Sequence, residues 1–278
     1  MRILITGSHG QVGQALVAAL APRHDLISTT SATLDITRRD TEAHIIAAQP
    51  DLVIHAAAWT NVDGCAQDPD RAYTVNGLGT RHVALACQRL DVPLVYISTN
   101  EVFNGCSTEP YLEWDTPAPI NAYARSKYLG EAYVRELLNR FYIVRIAWVF
   151  GGTRNFVNTI RRLAAAGGPL RVVEDETSNP TYAQDVAAAI ARLIDEPAYG
   201  TYHFVNEGYC SRYNFAREVL RQSGLEHIPV EPIKLKDYRR ASTPPSFTPL
   251  RNFVGAGDLG IVLPAWQDAL ARFLRKEA

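Results

Sequence analysis

Short apolar runs alternate with amphipathic stretches through the first half of the chain. Arg2–Thr6, Asp25–Thr29, Asp51–His55, Pro93–Ser98 and Tyr142–Ala147 are candidate strands, and PLVYI at 93–97 reads as a buried one. Between them, Gln11–Leu20 sets Val12, Leu16 and Leu20 on one helical face, and Pro69–Arg89 and Tyr123–Leu138 are two further helical stretches. Strand–helix alternation of this kind predicts a parallel, doubly wound sheet. After about Gly151 the rhythm loosens. Gly167-Gly168-Pro169 and Ser178-Asn179-Pro180 mark turns, and STPPSFTPLR at 242–251 reads as a loop. Helices return at Ala183–Asp195, Tyr213–Ser223 and Ala265–Arg275. The expectation is an α/β chain in two parts. Residues 1–150 form a nucleotide-binding sheet, and residues 151–278 form mainly a smaller, partly interleaved α/β substrate lobe, with 182–205 returning to the sheet.

Composition narrows the class without naming a chemistry. The chain has 278 residues, 47% hydrophobic and 21% charged, with a net charge of −1. That balance fits a globular enzyme and argues against a nucleic-acid or membrane surface. No apolar stretch approaches the roughly 20 residues a membrane span needs. MRILITG enters a strand at once, so no signal or transit peptide is expected and the location expected is cytoplasmic. Cys65, Cys87, Cys106 and Cys210 are scattered, with no CxxC pair and no His at metal-ligand spacing. Free thiols and no metal are the expectation.

Candidate chemistry begins with TGSHGQVG at 6–13, three glycines between a strand and a helix. Gly7 allows a tight turn, Gly10 lets backbone N–H groups approach a pyrophosphate, and Gly13 lets the helix pack closely, its N-terminus attracting the anion. With Gln11 and Val12 these are the candidate cofactor cradle. The spacing is similar to that of the short-chain dehydrogenase/reductase superfamily, particularly its extended branch, which implies a Rossmann-like fold and a nicotinamide cofactor. The stretch Ser28-Thr29-Thr30-Ser31 carries no carboxylate to hold a ribose 2′-hydroxyl, and Arg38 or Arg39 would neutralise a 2′-phosphate. NADPH is therefore favoured, with NADH the alternative. Asp35-Ile36 matches a position that lies beside the adenine in relatives; read alone, Asp35 is a helix cap. Ala56, Ala57, Ala58 and Thr60 follow the third strand, where small residues let the backbone run close to the cofactor.

Tyr123 and Lys127 stand four apart, on one helical face. A ketone gains negative charge on oxygen as hydride arrives at carbon. A phenol can protonate that oxygen if its pKa, ordinarily about 10, is lowered, and a neighbouring ammonium lowers it. The pair lies some 24 residues after STNEVF, on the helix preceding the fifth strand, where the superfamily keeps it.

The resemblance then extends along nearly the whole chain. GQVG at 10–13, AAAWTNVD at 56–63, AYTVN at 72–76, STNEVF at 98–103, NAYARSK at 121–127 and AWVFG at 147–151 resemble the dTDP-4-dehydrorhamnose reductase family. RNFVNTI at 154–160, VVEDETSNPTYAQDVA at 172–187 and LPAW at 263–266 continue the likeness. The resemblance implies NAD(P)H-dependent reduction of the C4 ketone of dTDP-4-dehydro-L-rhamnose to dTDP-L-rhamnose, in a monomer or homodimer. It makes Tyr123 the proton donor, Lys127 its partner and Thr99 a hydrogen-bond donor to the substrate oxygen, with Asn100 and Trp148 beside the sugar. Arg154, Arg239, Arg240 and Arg251 are candidates for gripping the diphosphate.

Two stretches depart from the family pattern. Where relatives carry S-T-D-Y-V-F, this chain has Asn100 and Glu101; an amide cannot deliver a proton, so these two are not an acid–base pair like that of the related dehydratases. Where relatives carry Arg-Pro and Asn-Ser, it has Pro244-Pro245 and Phe247-Thr248. Two other readings stay open: reduction of another nucleotide 4-keto-6-deoxysugar, and a non-catalytic NADP-binding subunit resembling the regulatory subunit of methionine adenosyltransferase.

Overall fold

Five apolar runs become parallel strands, β1 (Arg2–Thr6), β2 (Asp25–Ser28), β3 (Leu52–His55), β4 (Leu94–Thr99) and β5 (Phe141–Ile146). The computed structural model describes residues 1–277. Gly200–His203 adds a sixth parallel strand beside β5, giving the order sixth–β5–β4–β3–β1–β2. Chain direction across the sheet reverses between β1 and β3. Strands diverging from such a point leave a crevice at their carboxyl ends. The Gly7–Gly13 turn and the Ala56–Ala58 segment leave the sheet at that crevice, which is why they become neighbours.

Both faces of the sheet are covered, so β3 and β4 are buried at every position. Helices Gln11–Leu20 and Ala183–Leu193 bury Leu16, Leu20, Val186 and Ile190 against Ile3, Ile5 and Ile54. On the other face Ile45, Val83, Ala84 and Val134 pack on Leu4, Val53 and Tyr96. A third apolar cluster gathers Phe150, Val157, Ile160, Phe215, Trp266 and Phe273 from the C-terminal half. Its strands are short pairs: Val149–Phe150 with Thr181–Tyr182, and Leu170–Val173 with Val230–Ile233.

The stretch expected as one helix over Pro69–Arg89 is three segments. Pro69–Ala72 is α-helical, Tyr73–Leu78 is a π-helix, and Gly79–Leu90 is α-helical again. A wide turn of this kind re-aims one side chain. Here it is Asn76, whose Oδ1 accepts from Trp59 N at 2.7 Å while its Nδ2 donates to Trp59 O at 3.0 Å and to the Ser126 hydroxyl at 2.9 Å. The segment after β3 is thereby tied to the helix Ala122–Leu137. No helix among the described residues is long and apolar enough to cross a membrane, and no group of three His, Cys, Asp or Glu side chains among them could hold a metal.

Candidate active site

At the crevice the glycine turn is packed to its limit. A Cβ on Gly13 would lie 2.2 Å from the Gly7 carbonyl oxygen, and Gly7 itself sits at φ +69 with a Cβ position 2.6 Å from Ala57 N. A side chain at Gly13 would push the helix Gln11–Leu20 off the turn, and one at Gly7 would collide with the Ala56–Ala57 backbone. The helix N-terminus carries no side-chain cap, and the buried Gln11 Oε1 has no hydrogen-bond partner among the described residues. Unspent N–H groups beside an open cavity suit a phosphate. That cavity, about 950 Å³, is lined by Gly7, Gly10, Asp35, Ile36, Ala56, Ala57 and Ala58. The residues present fit a dinucleotide.

Ala56–Ala58 is held in place by a buried relay. The Thr80 hydroxyl donates to Asn76 O at 2.6 Å, so it accepts from His55 Nε2 at 3.1 Å; His55 Nδ1 then accepts from the Thr6 hydroxyl at 2.6 Å, and Thr6 Oγ1 accepts from Ala57 N at 3.3 Å. Burial first, and the Lys127 charge second, hold His55 neutral, with its pKa lowered to about 3.

Asp35 does not cap a helix. Its carboxylate accepts from Thr37 N and the Thr37 hydroxyl in a local turn, because the next helix starts at Thr41 with Asp40 before it. Arg38 donates to that same Asp40 at 3.0 Å, so its guanidinium is already engaged. Thr30 and Ser31, from the stretch read beside the ribose, line this cavity, together with two residues not anticipated from sequence: His9 and Arg71, whose guanidinium lies 4.4 Å from the Trp59 ring centre.

A second cavity, about 350 Å³, shares Gly10, Ala56 and Ala58 with the first and continues past the ends of β4 and β5. Gln11, Val12, Gly13, Thr60, Thr99, Asn100, Glu101, Tyr123, Lys127 and Trp148 all line it. The helix Ala122–Leu137 starts where Asn121 accepts from Ala124 N at 2.8 Å, and this cap sets Tyr123 in the first turn with Lys127 one turn on. Thr99 is the last residue of β4, facing them.

The electrostatics differ from the expected phenol made acidic by its lysine. Burial, and next the Glu101 carboxylate, push the Tyr123 phenol up; only contact with the Thr99 hydroxyl lowers it. Lys127 is 3% exposed, its Nζ donating to Ile97 O at 2.7 Å and lying 4.2 Å from the Tyr96 ring centre. Burial lowers its pKa to about 7, with Glu131 opposing. Desolvation disfavours the charged form of each.

Glu131, one further turn along, is fully buried and accepts from Arg145 Nε at 3.0 Å, Arg145 Nη2 at 2.9 Å and the Ser98 hydroxyl at 2.6 Å. Arg135 adds a contact at 3.0 Å. Although burial alone would raise it, the arginines hold its carboxyl below the usual range.

Asn100 and the departing loop turn out to be one unit. Asn100 Nδ2 donates to the Ser178 hydroxyl at 3.0 Å and to the Thr248 hydroxyl at 2.7 Å, while its Oδ1 accepts from Thr99. The amide hydrogens expected at the sugar are spent on the loop. Glu101 accepts from Asn121 Nδ2 at 2.8 Å and is pushed up, chiefly by burial. Of the arginines expected at a diphosphate, Arg240 is paired with Asp63 at 3.2 Å and Arg251 lies over the Phe253 ring. None of Arg154, Arg239, Arg240 and Arg251 lines the second cavity; Arg212 does.

A family model described as the RmlD substrate binding domain matches residues 1–278. The dTDP-4-dehydrorhamnose reductase of Mycobacterium tuberculosis is 38% identical over 285 residues, spanning all of this chain and 93% of the relative. The crystal structure of a dTDP-4-dehydrorhamnose reductase from Clostridium acetobutylicum superposes with a TM-score of 0.97 at 35% identity, covering 100% of this chain and 99% of that one. That of dTDP-4-dehydrorhamnose reductase from Bacillus anthracis, solved in complex with NADP, gives 0.95 at 36% identity, covering 99% of each chain.

Proposed function

This chain belongs to the family of the RmlD substrate binding domain, and from that premise we propose that it reduces the C4 ketone of dTDP-4-dehydro-L-rhamnose to dTDP-L-rhamnose. The observation that carries the reading is the meeting of Thr99, Tyr123 and Lys127 in a cavity continuous with the glycine turn. NADPH, when bound, supplies the hydride. Residues 1–150 hold the cofactor and 151–278 mainly the sugar nucleotide, in a cytoplasmic enzyme that is a monomer or homodimer.

Tyr123 is the proton donor. Its raised pKa keeps the phenol protonated at neutral pH, and that is the form a reduction consumes. As charge develops on the ketone oxygen, the Tyr123 phenol donates to it, and the Thr99 hydroxyl adds a second donor by turning away from Asn100 Oδ1, stabilising the transition state more than the ground state. Lys127, while protonated, favours the phenolate left behind. Gly7, Gly10 and Gly13, with Gln11 and Val12, cradle the pyrophosphate. Thr30, Ser31 and His9, bordering the ribose end, carry no carboxylate, which supports NADPH over NADH.

The test is direct. Purified protein given NADPH and dTDP-4-dehydro-L-rhamnose should oxidise the cofactor, faster than with NADH, and Tyr123→Phe should lose about 10²–10⁴-fold in turnover while still binding NADPH. Tight NADPH binding with no turnover of this sugar or another 4-keto-6-deoxyhexose would favour the non-catalytic regulatory reading instead.

A further inference from the structure

The catalytic cavity contains two cationic side chains among its lining residues, Lys127 and Arg212. Lys127 is spent: it is buried, bonded to Ile97 O and directed at the ketone end. Arg212 is differently placed. It opens the helix Arg212–Gln222, and its guanidinium carbon lies over the Trp148 ring, 3.6 Å from its centre, with the Phe156 ring centre 5.3 Å away. Its Nε donates to Glu176 Oε1 at 3.3 Å. No hydrogen bond among the described residues uses its terminal Nη groups. A guanidinium pinned by a ring on one face and a carboxylate on one edge has little freedom left to lose, and its remaining edge is a two-pronged donor.

Resting on the reading above, we propose that Arg212 binds the phosphates of the sugar nucleotide. A diphosphate entering this cavity meets Glu101, a carboxylate without an ion-pair partner among the described residues, and needs a compensating cation. The other candidate arginines, Arg154, Arg239, Arg240 and Arg251, do not line this cavity. A planar fork suits two phosphate oxygens where a hexose hydroxyl would use only one donor. The seat also explains the state of Trp148. One face of the indole, expected to lie against the sugar, carries the guanidinium, so the ring acts as a platform for the arginine and leaves only its other face for sugar.

The experiment measures inhibition by dTDP, which has the diphosphate but no hexose, against the keto sugar in the parent protein, Arg212→Ala and Arg212→Lys. The inhibition constant should rise at least tenfold in Arg212→Ala and by an intermediate factor in Arg212→Lys, which keeps the charge but loses the fork and the stack. NADPH affinity and the melting temperature report whether each variant is folded. An unchanged constant for dTDP in Arg212→Ala overturns the proposal, including the case where only the KM for the keto sugar rises, since the guanidinium would then be reading the hexose. If the parent turns over no keto sugar, calorimetric binding of dTDP to the same three proteins tests Arg212 separately from the reductase reading.

Discussion

Replacing Glu131 with Gln removes one negative charge from a place where Arg145 cannot find another. Arg145 is 1% exposed, and both its Nε and Nη2 end on the Glu131 carboxylate. Its remaining contacts, Glu113 O at 3.3 Å, the His203 ring at 3.4 Å and the Phe103 ring centre at 5.1 Å, carry no charge, because burial and then Arg145 itself lower His203 to about 3. In the variant an amide N–H would replace one carboxylate oxygen and face N–H donors. Breaking one side of a buried pair costs about 3–5 kcal/mol. The lost contact to Arg135, whose side chain is 36% exposed, adds under about 1 kcal/mol. At about 2–4 °C per kcal/mol for a domain of this size, the melting temperature should fall by roughly 6–20 °C. The pH dependence adds a second check. A carboxylate held below its unfolded value contributes stability above that value and loses it as pH falls through the folded one. The gap between parent and variant should therefore be full at neutral pH and shrink in acid. Thermal unfolding followed by circular dichroism at several pH values measures both. The double variant Glu131→Met with Arg145→Met should be more stable than Glu131→Met alone, because no charge is then stranded. A Gln variant melting within about 2 °C of the parent at neutral pH would refute the reasoning.

Three further outcomes are expected. Adding one methyl group at Gly13 forces contact with the Gly7 carbonyl, so Gly13→Ala should weaken NADPH binding at least about tenfold by fluorescence titration, with far-UV dichroism retained. Lys127 loses its proton near pH 7, so kcat/KM for the ketone should decline as pH rises through that region, and the decline should move to lower pH in Glu131→Gln. A lysine whose folded pKa lies below its unfolded one makes the fold more stable as pH rises through that window, so unfolding cannot cause the decline; a flat profile to about pH 9 would contradict the role given to Lys127. Asn100→Asp turns both amide donors into acceptors facing Ser178 and Thr248, and should cost about 1–3 kcal/mol by denaturant titration, less at low pH where the carboxyl is protonated.

The strands β1–β5 were legible because each is a local pattern: an apolar run of strand length with a turn at its end. The glycine turn and the Tyr123–Lys127 spacing were legible for the same reason. What failed to show depends on residues far apart in sequence. Tyr73–Leu78 widens because Asn76 must reach Trp59, seventeen positions away, and no helical periodicity reports that. The two-residue strands at 149–150 and 181–182 exist only as partners of each other. Arg212 had no local signal at all, since its platform is Trp148. Arg145 did have one: an arginine inside FYIVRI, an otherwise apolar strand, requires a buried counter-charge, and Glu131 answers it. The Tyr123 shift runs opposite to what its spacing from Lys127 predicts, because spacing reveals which groups are neighbours but not how much water they have lost.

Trp148 has a left-handed backbone, φ 36, a conformation that an indole-bearing residue adopts only at a cost of order 1–3 kcal/mol. Glycine there would relax the turn, and would also remove the seat on which Arg212 rests. At this position, then, easing the backbone and keeping the platform under the guanidinium pull in opposite directions. The indole also packs against the C-terminal apolar cluster, so the strained backbone is held by contacts that a smaller residue would not make.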